Sequence, residues 1–211
     1  MAVVGIVPAG GSGERLGADR PKAFVVCAGR PLIEWSLEVL DSVCDRVVVA
    51  APEGYDEGPD RVRGAESRSA SVRNAVEAAP EAETFVVHDA ARPLVTRDLA
   101  QRCMDALEPG IDGAIAAIPM TDTVKEVATD GRVLRTLDRS TLWAIQTPQV
   151  FRADILRRAL ERDPATLAAA SDDASLVDDV GGVITVVESY PENLKVTRES
   201  DLRIAEALLA H

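Results

Sequence analysis

Short apolar runs recur along the chain: AVVGIV at 2–7, RVVVA at 46–50, TFVVHD at 84–89, GAIAAI at 113–118 and GVITVV at 182–187. Each is continuous rather than alternating, the pattern of a strand covered on both faces, as in a parallel sheet. Between them lie stretches with helical spacing of apolar positions: PLIEWSLEVLDSV from Pro31, ESRSASVRNAVEAA from Glu66, TRDLAQRCMDAL from Thr96 and RADILRRALERD from Arg152. In the first, Leu32, Trp35 and Val39 fall on one face while Glu34, Glu38 and Asp41 take another,. Strand and helix in alternation predict an α/β fold built on a doubly wound, mostly parallel sheet.

One stretch breaks the rhythm. From Met120 to Ser140, MTDTVKEVATDGRVLRTLDRS places two β-like segments either side of Asp130-Gly131, a dipeptide that strongly favours a tight hairpin turn,. The expectation is a β-hairpin arm at about 120–141, projecting from a single domain that spans 1–211. A lone hairpin is marginal in water, so a second subunit is expected to pack on it. Further on, SDDASLVDDVG from Ser171 offers a serine cap and early acidic residues suited to a helix start,. A strand and a last helix from about Arg198 follow.

Composition narrows the function. With 23 Lys+Arg against 35 Asp+Glu the formal net charge is −12, which argues against a surface that wraps nucleic acid or lies on anionic lipid. Any anionic ligand must meet a local basic cluster. The start, MAVVGIVPAGG, lacks the basic region and apolar length of a signal peptide, and no run approaches about 18 apolar residues,; a cytoplasmic location is expected. Cys27, Cys44 and Cys103 are widely spaced and form no CxxC pair, so they read as buried apolar thiols. The histidines, His88 and His211, are too few for a catalytic triad or a His-based metal site.

The candidate chemistry begins at PAGGSGERLG, directly after the first apolar run. A glycine-rich turn at that place exposes backbone N–H groups that suit phosphate oxygens; taken alone it equally fits an ordinary strand-to-helix turn. It is neither of the commonest phosphate loops. No Lys-Ser or Lys-Thr follows as a P-loop requires, and counting GxGxxG from Gly11 puts Leu16 at the last glycine, with Gly17 one residue late,. Arg15 and Lys22 flank the turn. HDAARP at 88–93 falls at the carboxyl end of a strand, the edge where open α/β sheets bind ligands; there Asp89 suits a divalent cation and Arg92 an anion. DTVK at 122–125 and LDRSTLWAIQTPQ at 137–149 put Thr123, Lys125, Arg139 and Thr147 on or beside the arm, and ENLKVT at 192–197 places Lys195 after the last long strand.

Taken together and in order, VPAGGSGERLGADRPKAF, ESRSASV, HDAARP, DTVK, LDRSTLW, TPQ and NLKVTRESDL resemble the 2-C-methyl-D-erythritol 4-phosphate cytidylyltransferases of the non-mevalonate isoprenoid pathway, over about Val3 to Leu202. The resemblance implies a homodimeric, Mg²⁺-dependent enzyme with a Rossmann-like nucleotidyltransferase fold, making 4-diphosphocytidyl-2-C-methyl-D-erythritol and pyrophosphate from CTP. It implies that Pro8, Ala9, Gly10, Gly11 and Gly13 cradle CTP, with Arg15 and Lys22 on its triphosphate and Lys195 near the α-phosphate. Asp89 then stands near Mg²⁺ and substrate, Ala90 beside the nucleotide, and Ala65, Glu66 and Ser71 near the cytidine. Arg92, Thr123 and Arg139 hold methylerythritol phosphate, the last two delivered from the partner's arm. The chain departs from the family pattern at Gly10, where alanine is common, at Ala65, where glycine is common, and at Glu66, where aspartate is common. These departures touch base and ribose contacts and leave the cations intact.

Such a reaction suits these residues. The attacking phosphate monoester is already largely dianionic near neutral pH, its second pKa being about 6, so no general base is needed. The obstacle is negative charge meeting negative charge, and fixed cations and backbone donors are the remedy. A ribitol-5-phosphate cytidylyltransferase would share the loop and the HDAxRP-like strand end, whereas DTVK with LDRSTLW favours methylerythritol phosphate. From a different class, a non-catalytic nucleotide-binding protein or an NAD-binding oxidoreductase sits poorly with the full set of cations and the failed GxGxxG spacing.

Overall fold

The computed structural model describes residues 2–13, 16–17 and 19–210. In chain order its elements are β1 (Val3–Pro8), β2 (Val26–Cys27), β3 (Arg30–Pro31), α1 (Leu32–Asp41), β4 (Arg46–Ala51), β5 (Arg61–Arg63), α2 (Arg68–Glu77), β6 (Thr84–Val87) and α3 (Arg97–Asp105). After these come β7 (Gly113–Pro119), β8 (Lys125–Val127), β9 (Val133–Thr136), β10 (Trp143–Arg152), α4 (Ala153–Leu160), α5 (Pro164–Ala169), α6 (Asp173–Asp179), β11 (Ile184–Glu188) and α7 (Glu199–Leu209). The main sheet is seven-stranded in the order β11-β7-β10-β6-β1-β4-β5. All neighbours in it pair in parallel except β10, which runs antiparallel to both β6 and β7. The α/β sheet expected from the apolar runs is present, and each run lies on a strand.

Helices cover both faces. On one side Phe85, Phe151 and Val87 pack with Val72, Leu156, Leu160 and Leu176; on the other Val7, Val86 and Val150 pack with Leu40, Leu99 and Cys103. Neighbouring strands also fit closely: Gly113 on β7 faces Phe151 on β10, and a Cβ on Gly113 would lie 2.7 Å from Cδ1 of Phe151.

Several expectations are corrected. On α1 the buried positions are Leu32, Ile33, Ser36 and Leu40, not the face of Trp35 and Val39; Trp35 instead turns its indole to donate to the Cys27 carbonyl at 3.0 Å, with Arg30 stacked on the ring. The cap of α6 is Asp172, whose carboxylate accepts from the Ser175 N–H at 2.9 Å, rather than Ser171. Cys27 and Cys103 are buried but Cys44 only half so; burial raises the thiols, Cys27 to about 11 and the other two to about 12. Thr147 lies within β10 and is 3% exposed, well away from the arm's tip.

The arm itself is as expected: β8 and β9 pair antiparallel, Lys125 opposite Thr136, closed by Gly131 at φ 87°. Because β10 is reversed, Trp143 pairs with Pro119. The arm therefore leaves the sheet from the carboxyl edge of the parallel strands, the same edge that carries the candidate chemistry.

Candidate active site

The glycine-rich turn after β1 is held in place by its own backbone. The Lys22 N–H donates to the Gly11 carbonyl at 2.9 Å and the Ala9 N–H to the Ala50 carbonyl at 2.8 Å. Gly13 has φ 79°, and a Cβ there would sit 2.7 Å from the Arg20 carbonyl, so this position requires glycine. Under the turn lies a cleft of about 250 Å³, lined by Pro8, Ala9, Gly10, Gly11 and Lys22, by Ala65, Glu66 and Ser71, and by Asp89, Ala90 and Lys195. Ser71 shapes one wall: its hydroxyl accepts from the Ala65 N–H and donates to the Ser67 carbonyl, both at 2.9 Å.

A second cavity of about 270 Å³ adjoins the first and shares Arg68, Asp89 and Lys195 with it, adding Arg92, Gln146, Thr147, Gln149, Ser171 and Asp172. Asp89 is the partition. Its Oδ1 accepts from Arg68 Nε at 2.9 Å, its Oδ2 pairs with Lys195 Nζ at 2.8 Å, and Arg92 Nε stands 3.9 Å from Oδ2. Burial alone would raise its carboxyl, but Arg68, Lys195 and Arg92 outweigh burial and hold it far below the usual carboxylate range. Arg92 is 8% exposed and donates to the Asn193 carbonyl at 2.7 Å, while its buried Nε has no hydrogen-bond partner. Asn193 in turn donates to Gln146 at 2.8 Å and to the Thr147 carbonyl at 2.9 Å, which welds the segment bearing Lys195 to the start of β10.

His88 lines neither cavity. It is fully buried, with Nδ1 2.9 Å from the Thr147 hydroxyl and Nε2 3.2 Å from the Arg92 carbonyl. Burial, only partly opposed by Asp89, lowers its pKa to about 4.

Of the candidate site residues, the structure brings together Pro8, Ala9, Gly10, Gly11, Lys22, Ala65, Glu66, Ser71, Asp89, Ala90 and Lys195 in the first cleft and places Arg92 in the second. Gly13 supports the turn without lining the cleft. Thr123 and Arg139 line neither cavity; both are exposed, and Arg139 donates to the Thr121 carbonyl. Arg15 lies outside the described residues. Sequence reasoning missed Arg68, Asp173 and Asn193. Among the described residues no group of three or more His, Cys, Asp or Glu is placed to hold a metal ion alone, and no helix is long and apolar enough to cross a membrane.

A doubly wound sheet with a glycine-rich loop, cations and a carboxylate at its carboxyl edge defines a nucleotidyltransferase. The family model described as IspD, 2-C-methyl-D-erythritol 4-phosphate cytidylyltransferase, matches residues 3–211, and the chain belongs to that family. It is similar to the enzyme of that name from Rubrobacter xylanophilus, 41% identical over 98% of this chain and 94% of the relative. The Nocardia farcinica enzyme is likewise 41% identical, over 99% and 94%. The crystal structure of the Thermus thermophilus enzyme superposes with a TM-score of 0.84 at 33% identity, covering 100% of both chains. As a family member the protein is a cytidylyltransferase, joining CTP and 2-C-methyl-D-erythritol 4-phosphate with release of pyrophosphate.

Proposed function

We propose that this reaction runs across the Asp89 partition, with CTP in the cleft under the glycine-rich turn and the acceptor phosphate in the adjoining cavity. The observation that carries this reading is the shared wall: the two cavities meet at Arg68, Asp89 and Lys195. Backbone donors of 10–13 with Lys22 and Arg15 take the β- and γ-phosphates, and Lys195 takes the α-phosphate on leaving Asp89 Oδ2. Arg92, whose buried Nε has no hydrogen-bond partner, receives the acceptor phosphate and holds it in line with the α-phosphorus. Charge that grows on the departing pyrophosphate is met by cations already in place, the largest contribution such sites make. Ala65, Glu66 and Ser71 border the cytidine, where Glu66 reaches further than the aspartate common in the family.

The donor set fits Mg²⁺. That ion usually takes one or two carboxylates together with substrate phosphates, and Asp89 offers one at the partition. When bound, it would supply Lewis-acid polarisation of the phosphoryl oxygens. Thr123 and Arg139 act in the partner's site, which requires a homodimer formed through the arm; exposed Val127, Val133, Leu134 and Trp143 on and beside the arm supply apolar surface for it. The arm and the sheet then form one catalytic domain over 1–211, working in the cytoplasm.

The test is pyrophosphate release from CTP and Mg²⁺, with methylerythritol phosphate and ribitol 5-phosphate compared under identical conditions. Turnover with the first alone is expected. Turnover with ribitol phosphate alone would overturn the acceptor assignment, and CTP binding without release would leave only a nucleotide-binding protein.

A further inference from the structure

Arg68 opens α2 and bridges two carboxylates. Its Nε donates to Asp89 Oδ1 at 2.9 Å and its Nη1 to Asp173 Oδ2 at 2.5 Å. Asp173 lies in the first turn of α6, fully buried, and its second oxygen has no hydrogen-bond partner. Burial raises its carboxyl and Arg68 opposes the rise. Burying a carboxylate with one bare oxygen is expensive, and an apolar residue of similar size would serve the fold as well or better. The arrangement does something else: it clamps a planar two-pronged cation at a fixed angle. With Oδ1 of Asp89 held by that clamp, the carboxylate cannot rotate, and Oδ2 is the oxygen left facing Lys195 and Arg92.

We propose that Arg68, anchored by Asp173, is a positioning residue for the transfer reaction: it fixes the rotation of Asp89, so that Oδ2 stays turned to the junction of the two cavities. The inference rests on the assignment of those cavities above. It predicts a defect in turnover larger than any change in nucleotide affinity, because the hydrogen bonds of Arg68 run to Asp89 at the partition and to Asp173. It also predicts that Arg68 and Asp173 act as one unit, although Asp173 lines neither cavity.

The experiment uses the full chain and pyrophosphate release with CTP and methylerythritol phosphate. Arg68→Lys keeps the stem and the charge but cannot serve both carboxylates; its kcat should fall about 10- to 100-fold, the scale of a small misplacement of reacting groups, with KM for CTP changed less than about threefold. Asp173→Asn should give a similar fall, and the double variant should be no worse than either single one. In Arg68→Ala, added guanidinium should recover part of the lost turnover while equal ammonium does not. Wild-type kcat in Arg68→Lys would overturn the proposal, as would losses in Arg68→Lys and Asp173→Asn that multiply. Should Asp173→Asn fail to fold, Arg68→Lys alone decides. A wild-type protein that releases no pyrophosphate would instead remove the functional reading and this inference with it.

Discussion

Asp89 holds three cationic groups within 4 Å of its carboxylate before any phosphate arrives, so the positive charge of the site is stored in ion pairs rather than left bare in water. Lys22 belongs to a different part of the site, the turn over the first cleft. Its replacement by alanine should lower kcat by about 10²-fold or more, comparable to the loss of one oxyanion donor; a folded Lys22→Ala protein with near-normal turnover would contradict the mechanism. His88 gives a second residue-scale expectation. Its pKa lies at about 4 in the folded chain and near 6.5 when unfolded, so below pH 6.5 the unfolded chain binds the extra proton. Stability contributed by the neutral ring is thus complete above pH 6.5 and declines as pH falls toward 4. The loss should reach about 2 kcal/mol at pH 5. Urea unfolding of the wild type and His88→Gln at pH 7 and pH 5 measures it, and equal pH dependence in the two would refute the assignment. Lys22, Asp89 and Lys195 were legible because each sits in an ordered motif. Arg68 and Asp173 were not, since an arginine or an aspartate in a first helical turn is ordinarily a solvated residue, and only the fold brings 68 and 173 together.

At the scale of elements, the strand that escaped the apolar pattern is the one that carries the most polar work. WAIQTPQVFR puts Gln146, Thr147 and Gln149 inside a buried strand, where they bond to Asn193, His88 and Asp172. Proline and three polar residues within ten positions hide a strand from any hydrophobic reading, whereas the runs of β1, β4, β6, β7 and β11 announce theirs. The β7–β10 contact can be probed at Gly113. A methyl group there meets Phe151 at 2.7 Å, and overpacking of this kind costs about 1–3 kcal/mol. Gly113→Ala should lower the urea midpoint accordingly; an unchanged midpoint would mean that the strands part more easily than their packing indicates. The arm's role has its own check. Mixed Arg139→Ala and Lys22→Ala subunits should recover roughly a quarter of wild-type activity after random exchange, because one site of each heterodimer is intact under two-fold symmetry. Heterodimers that form without any recovery would show that Arg139 serves its own subunit.

Over the whole molecule, a chain of net charge −12 presents a basic cleft to a triphosphate. The acidic surroundings oppose the approach of CTP and the cleft favours it, and added salt screens both over about 8–10 Å. The cleft is nearer to the bound nucleotide, so KM for CTP should rise several-fold between low and physiological ionic strength; a KM that falls with salt would mean that the acidic surface dominates. Sequence made the sheet, the arm and the carboxyl-edge site legible, because each rests on local pattern. It left the second cavity unseen, because that cavity is assembled from β10, Ser171 and Asp172 before α6, and Lys195, which are far apart in the chain. The shared partition bears on how the enzyme could escape an inhibitor. A compound that spanned both cavities would lean on Arg68, Asp89 and Lys195, whose replacement is expected, on the proposed assignment, to slow turnover. Resistance would then arise at exposed lining residues, Gly10 and Ala65 of the first cavity or Ile145 of the second, so contacts made at the partition would be the durable part of such a ligand.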